Sequence, residues 1–331
     1  MTDRRLDVLC IGNAIVDVIA DASDEFLQSE GLTKGTMRLI DADEAERLYA
    51  HMGPAHQVSG GSAGNTAAGI AALGGRSGFI GQVALDQLGE FYRHDLTAAG
   101  VEFTTAASNG EVPTARSMIL VTPDGHRTMN TFLGAAQLLP KSALDEEQIR
   151  SSAILYLEGY LWDPETPRYA MIRAIEVARE AKRKVAFTLS DMFCVDRHRD
   201  GFNELLDEGR IDILFANQAE IEALAGVPHL ETAVATVTGR VETLVVTCSE
   251  NGALAVRGGE RADVPAEPIE KLLDTTGAGD LFAAGFLVGE ARGLGLQRSL
   301  RLGAIAAAEV IQHYGARPEA DLKALAAELL G

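Results

Sequence analysis

The sequence has little cysteine, no excess of positive charge and no long apolar run. Its three cysteines, Cys10, Cys194 and Cys248, lie in or beside apolar runs without metal-ligand spacing, so we expect buried free thiols and a reducing, cytoplasmic setting. Lysine and arginine number 29 against 48 aspartates and glutamates, a net charge of −19. This balance argues against nucleic acid and anionic membranes as partners, and no apolar run is long enough to span a membrane.

The sequence also lacks the G-x-x-x-x-G-K-[ST] phosphate-binding loop. The glycine-rich string GGSAGNTAAG at 60–69 follows polar residues instead of a clean strand, so it indicates a dinucleotide fold only weakly. The string DTTGAGDLFAAGFL at 274–287 is more informative. Gly277, Ala278 and Gly279 allow backbone N–H groups to converge at a helix start, where the helix dipole favours an anion.

Asp280 occupies the first turn of that predicted helix. The helix dipole stabilises its carboxylate, and a nearby phosphate opposes its ionisation. The residues alone leave two interpretations open. Asp280 is either a helix cap or a general base beside a bound anion.

Short apolar runs alternate with amphipathic segments along most of the chain. Strands are predicted at 6–12, 77–83, 153–159, 184–190, 212–217 and 243–249. Helices are predicted at 65–73, 166–183, 218–225, 281–292 and 300–313. This alternation predicts an α/β fold with a doubly wound, mostly parallel sheet and helices on both faces.

Two segments, 18–59 and 101–133, interrupt the alternation. The second contains Pro123, Asp124 and Gly125 between two extended runs, which predicts a β-hairpin. We therefore expect an α/β core of residues 1–17, 60–100 and 134–331, carrying a small β-sheet lid inserted in two pieces. Such a lid closes over a site and excludes water, or serves as the edge of a homodimer. The two roles are compatible, and a monomer and a homodimer are both open.

Three strings together resemble the signatures of the ribokinase-like (PfkB) carbohydrate and nucleoside kinases. They are GGSAGNTAAGIAALGG, NQAE at 217–220 and DTTGAGDLFAAGFL, in the family's order and across most of the chain. The resemblance implies a ribokinase-like fold with a β-sheet lid and ATP as a substrate. It also implies that Asp280 is the catalytic base and that Gly277, Ala278 and Gly279 form the anion hole.

The resemblance further implies two ion sites. Asn217 and Glu220 would organise Mg²⁺ and the nucleotide phosphates, through water. Read as residues alone, this pair is a helix start with a polar face. Asp274 and Thr276 lie where some family members bind potassium or another monovalent cation, and nothing in the sequence decides whether this chain does.

The string VVTCSENGALAV resembles the nucleotide-binding strand and turn of the family. By that resemblance Thr247, Ser249 and Gly252 would approach ATP. A simple strand–turn–strand explains the same residues.

The acceptor site is predicted just past the first strand, where open α/β sheets bind ligands. Asn13, Asp17 and Asn65 offer the mixed donors and acceptors that vicinal hydroxyls need. The resemblance implies that Asp17 holds the 2′- and 3′-hydroxyls of a ribose. A turn residue for Asn13 and a cap for Asp17 are the alternatives. The predicted substrate contacts also include Gly60, Gly61 and Ser62.

Several details favour a nucleoside over a free sugar. GNAIVDV and GGSAGN resemble the adenosine kinases of the family, and many ribokinases carry a lysine in place of Ser62. The second lid segment resembles the adenosine kinase lid, which implies that Met129 and Leu133 cover a purine. By the same resemblance Arg127 would turn toward the transferring phosphate, whereas a solvated charge on the hairpin is equally open.

Tyr160 and Trp162 follow a predicted strand and are either base contacts or packing aromatics. From all of these features we expect ATP-dependent phosphorylation of the 5′-hydroxyl of adenosine. A sugar kinase for ribose, fructose or a keto-deoxy acid is the alternative with the same fold. A nucleoside-binding regulator without turnover is the alternative from another class.

Overall fold

The computed structural model describes residues 5–330. Residues 1–4 of the predicted core segment 1–17 and residue 331 of the segment 134–331 lie outside the described residues. The strands are β1 Leu6–Ile11, β2 Ile15–Asp21, β3 Met37–Leu39, β4 Ala55–Gly60, β5 Ser77–Ile80, β6 Ala115–Val121, β7 Arg127–Phe132, β8 Ser152–Glu158, β9 Lys184–Thr188, β10 Ile213–Asn217, β11 Thr243–Thr247, β12 Ala253–Arg257 and β13 Glu260–Val264. The helices are α1 Asp24–Ser29, α2 Ala42–His51, α3 Ser62–Ala72, α4 Gln87–Ala98, α5 Glu146–Ser151, α6 Glu165–Glu180, α7 Met192–Asp207, α8 Gln218–Ala225, α9 Leu230–Val237, α10 Ala278–Ala291, α11 Leu296–Val310 and α12 Leu322–Leu330.

The larger sheet has the strand order β13-β12-β11-β10-β9-β8-β1-β5. The strands from β11 to β5 are parallel, and β12 and β13 add an antiparallel hairpin at one edge. All six predicted strands and all five predicted helices are present, with ends that differ by a few residues. The prediction of a doubly wound, mostly parallel α/β fold is therefore confirmed.

Burial on both faces explains the apolar character of the parallel strands. Along β1, Val8 and Cys10 enter one core while Leu9 and Ile11 enter the other. Helices α3, α10 and α11 cover the first face, and α6 to α9 cover the second. The alternation of side chains along each strand thus forms two separate hydrophobic cores.

The smaller sheet has the order β3-β7-β6-β2-β4. The predicted hairpin is confirmed, because β6 and β7 are antiparallel and Gly125 N–H closes the turn on the carbonyl of Thr122 at 2.8 Å. Strand β2 begins at Ile15, inside the predicted core segment 1–17. Glu102 and Ser108 form bridges with residues of the larger sheet and its adjoining loop, so the first part of segment 101–133 lies along that sheet.

The strand order reverses at β1. The chain goes from β1 to β5 on one side and later places β8 on the other side. Helices that follow the two directions diverge and leave a crevice at the carboxyl ends of β1 and β8. After β1 the chain leaves the larger sheet at the same edge and enters β2, so the smaller sheet begins beside the crevice.

The prediction of buried free thiols is confirmed for Cys10 and Cys194, whereas Cys248 is free but only half-buried. None of the helices in the described part of the chain combines the length and the apolar character needed to cross a membrane.

Candidate active site

A cleft of about 730 Å³ lies between the two sheets. It opens at the carboxyl ends of β1, β8, β10 and β11, where the reversal in strand order leaves room. Most of the residues predicted from the sequence line it. They are Asn13, Asp17, Gly61, Ser62, Asn65, Met129, Leu133, Asn217, Glu220, Thr247, Thr276, Gly277, Gly279 and Asp280. The predicted residues Gly60, Arg127, Ser249, Gly252, Asp274 and Ala278 are not among the lining residues.

The Asp280 side chain, on α10, accepts hydrogen bonds from residues of α3 and does not cap α10. Its Oδ1 accepts from Ser62 Oγ at 2.6 Å and its Oδ2 from Asn65 Nδ2 at 2.9 Å. Ser62 and Asn65 belong to the first turns of α3, and Asp280 to the first turn of α10. Two helix N-termini therefore converge on one carboxylate, and both dipoles favour its anion.

The pKa of Asp280 is nevertheless raised, because removal from water disfavours the charged form. The hydrogen bonds from Ser62 and Asn65 and the charge of Arg317 oppose that rise. A carboxylate with a raised pKa that still has free lone pairs toward the cleft is suited to accept a proton.

The turn before α10 requires glycine at one position. Gly277 has φ +79°, and a Cβ there would lie 2.6 Å from Cβ of Ala316. The anion-hole prediction needs correction at Ala278, whose N–H donates to the carbonyl of Thr275 at 3.2 Å within the turn. Gly277 and Gly279 line the cleft at the start of this helix.

A second group of polar side chains lies around Asn13, next to the start of α3. Glu158 accepts from Asn13 N–H at 2.8 Å, from Asn13 Nδ2 at 2.7 Å and from Ala63 N–H at 2.7 Å. Burial raises the pKa of Glu158 to about 7. Burial also raises the pKa of Asp17 to about 7, against the opposing charges of Arg317 and Arg127.

Glycines 60 and 61 act through the space they leave. A Cβ on Gly60 would overlap the carboxylate of Asp17, and a Cβ on Gly61 would overlap the carbonyl oxygen of Asn13. Gly61 also has φ +86°. Gly60 therefore supports the site from behind Asp17 without lining the cleft.

Asn217 and Glu220 form a capping box at the start of α8. Asn217 Oδ1 accepts from Glu220 N–H at 2.9 Å, while the Glu220 carboxylate accepts from Asn217 N–H at 2.9 Å and from Asn217 Nδ2 at 2.6 Å. Burial raises the pKa of Glu220 to about 7. The spacing thus has a structural role, and both residues also line the cleft.

Arg127 is buried beside the turn that precedes α10 and is not solvated. Its guanidinium is 7% exposed and lies 2.7 Å from Oδ2 of Asp274, which is equally buried. It also donates to Thr276 Oγ1 at 3.2 Å. This arginine balances the charge of Asp274, and a monovalent cation at Asp274 and Thr276 stays a prediction. The interpretation of Arg127 as a solvated charge is therefore wrong, while its turn toward a transferring phosphate stays a prediction.

Of the three predicted nucleotide contacts, only Thr247 reaches the cleft. Ser249 lies in a short 3-10 turn between β11 and β12, and Gly252 follows it with φ +86°. A Cβ on Gly252 would overlap the carbonyl oxygen of Val264. The strand–turn–strand geometry accounts for Gly252, and contacts of Ser249 and Gly252 with ATP stay predictions.

The two aromatics after β8 differ in role. Tyr160 lines the cleft. Trp162 is 6% exposed and packs edge-on against Phe187 and Phe202, so it is a packing aromatic.

The sequence analysis missed several residues, among them Glu158 and Arg317, and also Met37 and Leu39, which line the cleft. Glu158 had a signal, since it is a carboxylate at the carboxyl end of an otherwise apolar strand. Arg317 had none, because it lies in the loop between α11 and α12, far along the chain from the residues it contacts. Arg317 donates to Asn65 Oδ1 at 3.2 Å and to the carbonyl of Gly64 at 3.3 Å.

A family model described as "pfkB family carbohydrate kinase" matches residues 6–322. The chain belongs to this family. This pfkB kinase is 27% identical to adenosine kinase of Saccharomyces cerevisiae, over 93% of this chain and 95% of that one. Among solved structures it is similar to adenosine kinase from Sinorhizobium meliloti, with 49% identity, a TM-score of 0.91 and coverage of 98% and 99%. It is also similar to a probable sugar kinase from Rhizobium etli, with 46% identity, a TM-score of 0.92 and coverage of 99% of each chain.

Membership of the family makes the chain a phosphotransferase. The cleft fits the ATP that such kinases use, since it joins the N-terminus of a long helix to the polar start of α8. Within residues 5–330, no group of three or more histidine, cysteine, aspartate or glutamate side chains is placed to hold a metal ion. Asn217 and Glu220 bring an amide oxygen and a carboxylate to the cleft, and oxygen ligands of this kind suit hard divalent cations.

Proposed function

We propose that this pfkB kinase phosphorylates the 5′-hydroxyl of adenosine, with MgATP as the phosphoryl donor. The observation that carries the proposal is one continuous cleft that joins Asp280 to a polar end and to an apolar wall. Asp17 and Asn13 form the polar end, and Met129 and Leu133 belong to the wall. Asp280 lies beside the helix N-terminus that suits an anion.

The polar end supports a ribose. Asp17 presents a carboxylate that accepts from two vicinal hydroxyls, and Asn13 offers an amide with donors and an acceptor. Glu158 holds Asn13 from behind by its backbone N–H and by Nδ2. A rigid amide and a carboxylate at one end suit the 2′- and 3′-hydroxyls.

The apolar wall supports a nucleobase. Met37 and Leu39 on β3 are 50% and 60% exposed and line the cleft. Covering apolar surface contributes about 25 cal/mol per Å², and a purine offers a flat face for this purpose. A free sugar, with hydroxyls on most of its carbons, offers no comparable face. The wall thus favours a nucleoside over a sugar.

The proposed reaction moves one proton and one phosphoryl group. The 5′-oxygen forms a bond to the γ-phosphorus, the bond from that phosphorus to the β–γ bridging oxygen breaks, and ADP leaves. Asp280 accepts the hydroxyl proton. Asn217 and Glu220 would hold Mg²⁺ through water, and the ion would neutralise charge on the phosphates. Backbone donors at Gly277 and Gly279 suit the negative charge that develops on the transferred group.

The test is a substrate panel with a base variant. Wild-type protein is assayed for ADP release with adenosine, inosine, ribose and fructose, and we expect the highest kcat/KM with adenosine. Asp280→Asn should lower kcat by on the order of 10² or more, while adenosine binding by calorimetry persists. Asp145→Asn is the matched control, because Asp145 caps α5 away from the cleft and asparagine caps equally well.

Two outcomes would replace the proposal. A higher kcat/KM for ribose or fructose than for adenosine would assign a sugar kinase, the activity named for the Rhizobium etli protein. Nucleoside binding by the wild type without any phosphoryl transfer would instead support a regulator. Near-normal turnover by Asp280→Asn would remove the base assignment.

A further inference from the structure

The loop between α11 and α12 contacts three parts of the site from behind. The residues that make these contacts are Gly315, Ala316 and Arg317. Gly315 N–H donates to Oδ2 of Asp274 at 2.9 Å. Ala316 lies against Gly277, where it leaves no room for a Cβ. Arg317 reaches the start of α3, which carries Asn65.

The guanidinium of Arg317 is held at several points. It donates to the carbonyl of Gly64 at 3.3 Å, to Oδ1 of Asn65 at 3.2 Å and to Oγ of Ser59 at 2.9 Å. It also bonds the carbonyl oxygen of Ser59. Arg317 does not belong to the cleft lining, so any effect on the reaction passes through other residues.

These contacts fix the orientation of Asn65. A guanidinium has only donors, so the amide must turn its oxygen toward Arg317. The Nδ2 group then faces Oδ2 of Asp280 at 2.9 Å. A flipped amide would set donor against donor at Arg317 and acceptor against carboxylate at Asp280. Arg317 and the carboxylate of Asp280 therefore favour the same orientation of Asn65, and Arg317 fixes it from the side away from Asp280.

We propose that Arg317 is a positioning residue for Asp280, which it holds as an ionised proton acceptor through the amide of Asn65. The catalytic meaning of this inference rests on the proposed function, whereas the arrangement itself does not. The orientation of a carboxylate and the charge behind it are set from a loop that touches neither substrate.

Charge adds to the effect of orientation. The positive charge of Arg317 lowers the pKa of Asp280 against the rise caused by burial. The other titratable groups that interact with Asp280 are Asp17 on β2, Tyr156 and Glu158 on β8, and Tyr160 in the turn after β8. None of these is a cation, so they do not replace Arg317.

The decisive measurement is the titration of Asp280 itself. The full chain, labelled with ¹³C at aspartate side-chain carboxyls, is titrated by NMR without nucleotide, and Asp280→Asn assigns the signal. Arg317→Met should raise the pKa of Asp280 by on the order of one unit or more. Arg317→Lys keeps the charge but not the planar fork, so it should recover part of the shift.

Arg93→Met is the matched control. Arg93 also donates to backbone carbonyls, those of Phe103 and Thr105, so it reports the general cost of losing such an arginine. The Arg93→Met substitution should leave the pKa of Asp280 unchanged. If Arg317→Met does not fold, Asn65→Ala interrupts the same relay while leaving the contacts of Arg317 with Ser59 and Gly64, and it should also raise the pKa.

An unchanged Asp280 titration in Arg317→Met, or in Asn65→Ala where the first variant does not fold, would overturn the inference. In an active enzyme, the acidic limb of the kcat profile should move to higher pH with Arg317→Met and return partly with Arg317→Lys. If the wild type transfers no phosphoryl group, the proposed function fails, while the NMR titration still decides the role of Arg317.

Discussion

The substitution Glu158→Gln tests the buried carboxyl behind Asn13 most directly. Glu158 is fully buried and accepts three hydrogen bonds, two from Asn13 and one from Ala63 N–H. Glutamine has one acceptor oxygen, so it retains the bonds from Asn13 and turns an NH₂ group toward Ala63. A buried N–H without a partner costs about 1–3 kcal/mol. This cost is present at every pH.

The contribution of Glu158 to the free energy of unfolding of the wild type, by contrast, falls with rising pH. Because the pKa of Glu158 is raised from 4.5 to about 7 in the folded protein, the folded state holds the proton more tightly than the unfolded state. The stability from this group is fully present below pH 4.5 and is lost as pH rises through 7. At about 1.4 kcal/mol per unit, the loss is on the order of 3 kcal/mol. Glutamine does not ionise and shows no such loss.

The difference between the two proteins should therefore shrink with rising pH. We expect wild type to be the more stable at pH 5 and the gap to close or invert by pH 8.5, measured by urea unfolding. Asp17 and Glu220 have raised pKa values as well, but they are present in both proteins and largely cancel in the difference. Glu204→Gln, on the exposed side of α7, is the control. A gap that stays constant from pH 5 to 8.5 would refute the reasoning.

Three further substitutions test other parts of the site. Gly277→Ala places a side chain at a positive-φ position, which costs about 1–2 kcal/mol, and against Ala316. Steady-state kcat should fall because the turn that carries Gly277 and Gly279 moves; normal kcat would contradict this. Arg127→Met leaves the buried carboxylate of Asp274 unpaired and should cost about 3–5 kcal/mol in urea unfolding, part of which the double variant with Asp274→Leu should recover. Asn217→Ala removes the α8 cap, which should cost about 1 kcal/mol and raise the Mg²⁺ concentration for half-maximal rate, whereas Asn217→Asp should keep the cap.

Most of the fold could be predicted from the sequence because its signals are local. Parallel strands buried on both faces are short apolar runs, and the turn at Pro123-Asp124-Gly125 requires specific backbone angles. The edge of the small sheet was harder to locate. Strand β2 begins only four residues after β1 ends, and both are apolar, so no composition change marks the passage from one sheet to the other.

The candidate site was predictable where motif residues face the cleft and not where the chain returns from far away. Asp280 and Asn65 lie within recognisable sequence motifs. The ion pair of Arg127 with Asp274 joins positions 147 residues apart, and the contact of Arg317 with Asn65 spans 252. The residues next to such a side chain in the sequence do not indicate which distant residue it contacts. Both arginines therefore receive a role only when the three-dimensional arrangement is known.

The way in which the small sheet is attached has a consequence for motion. The backbone passes between the two sheets at residues 12–14, 61, 113–114 and 133–134. Asn13, Gly61 and Leu133, which line the cleft, lie within these passages. Any rotation of one sheet against the other must bend the backbone at these points, which include residues of the proposed acceptor site. A ligand bound at these residues would restrict such a rotation. A substitution that stiffens the backbone there would change ligand affinity without contacting the ligand.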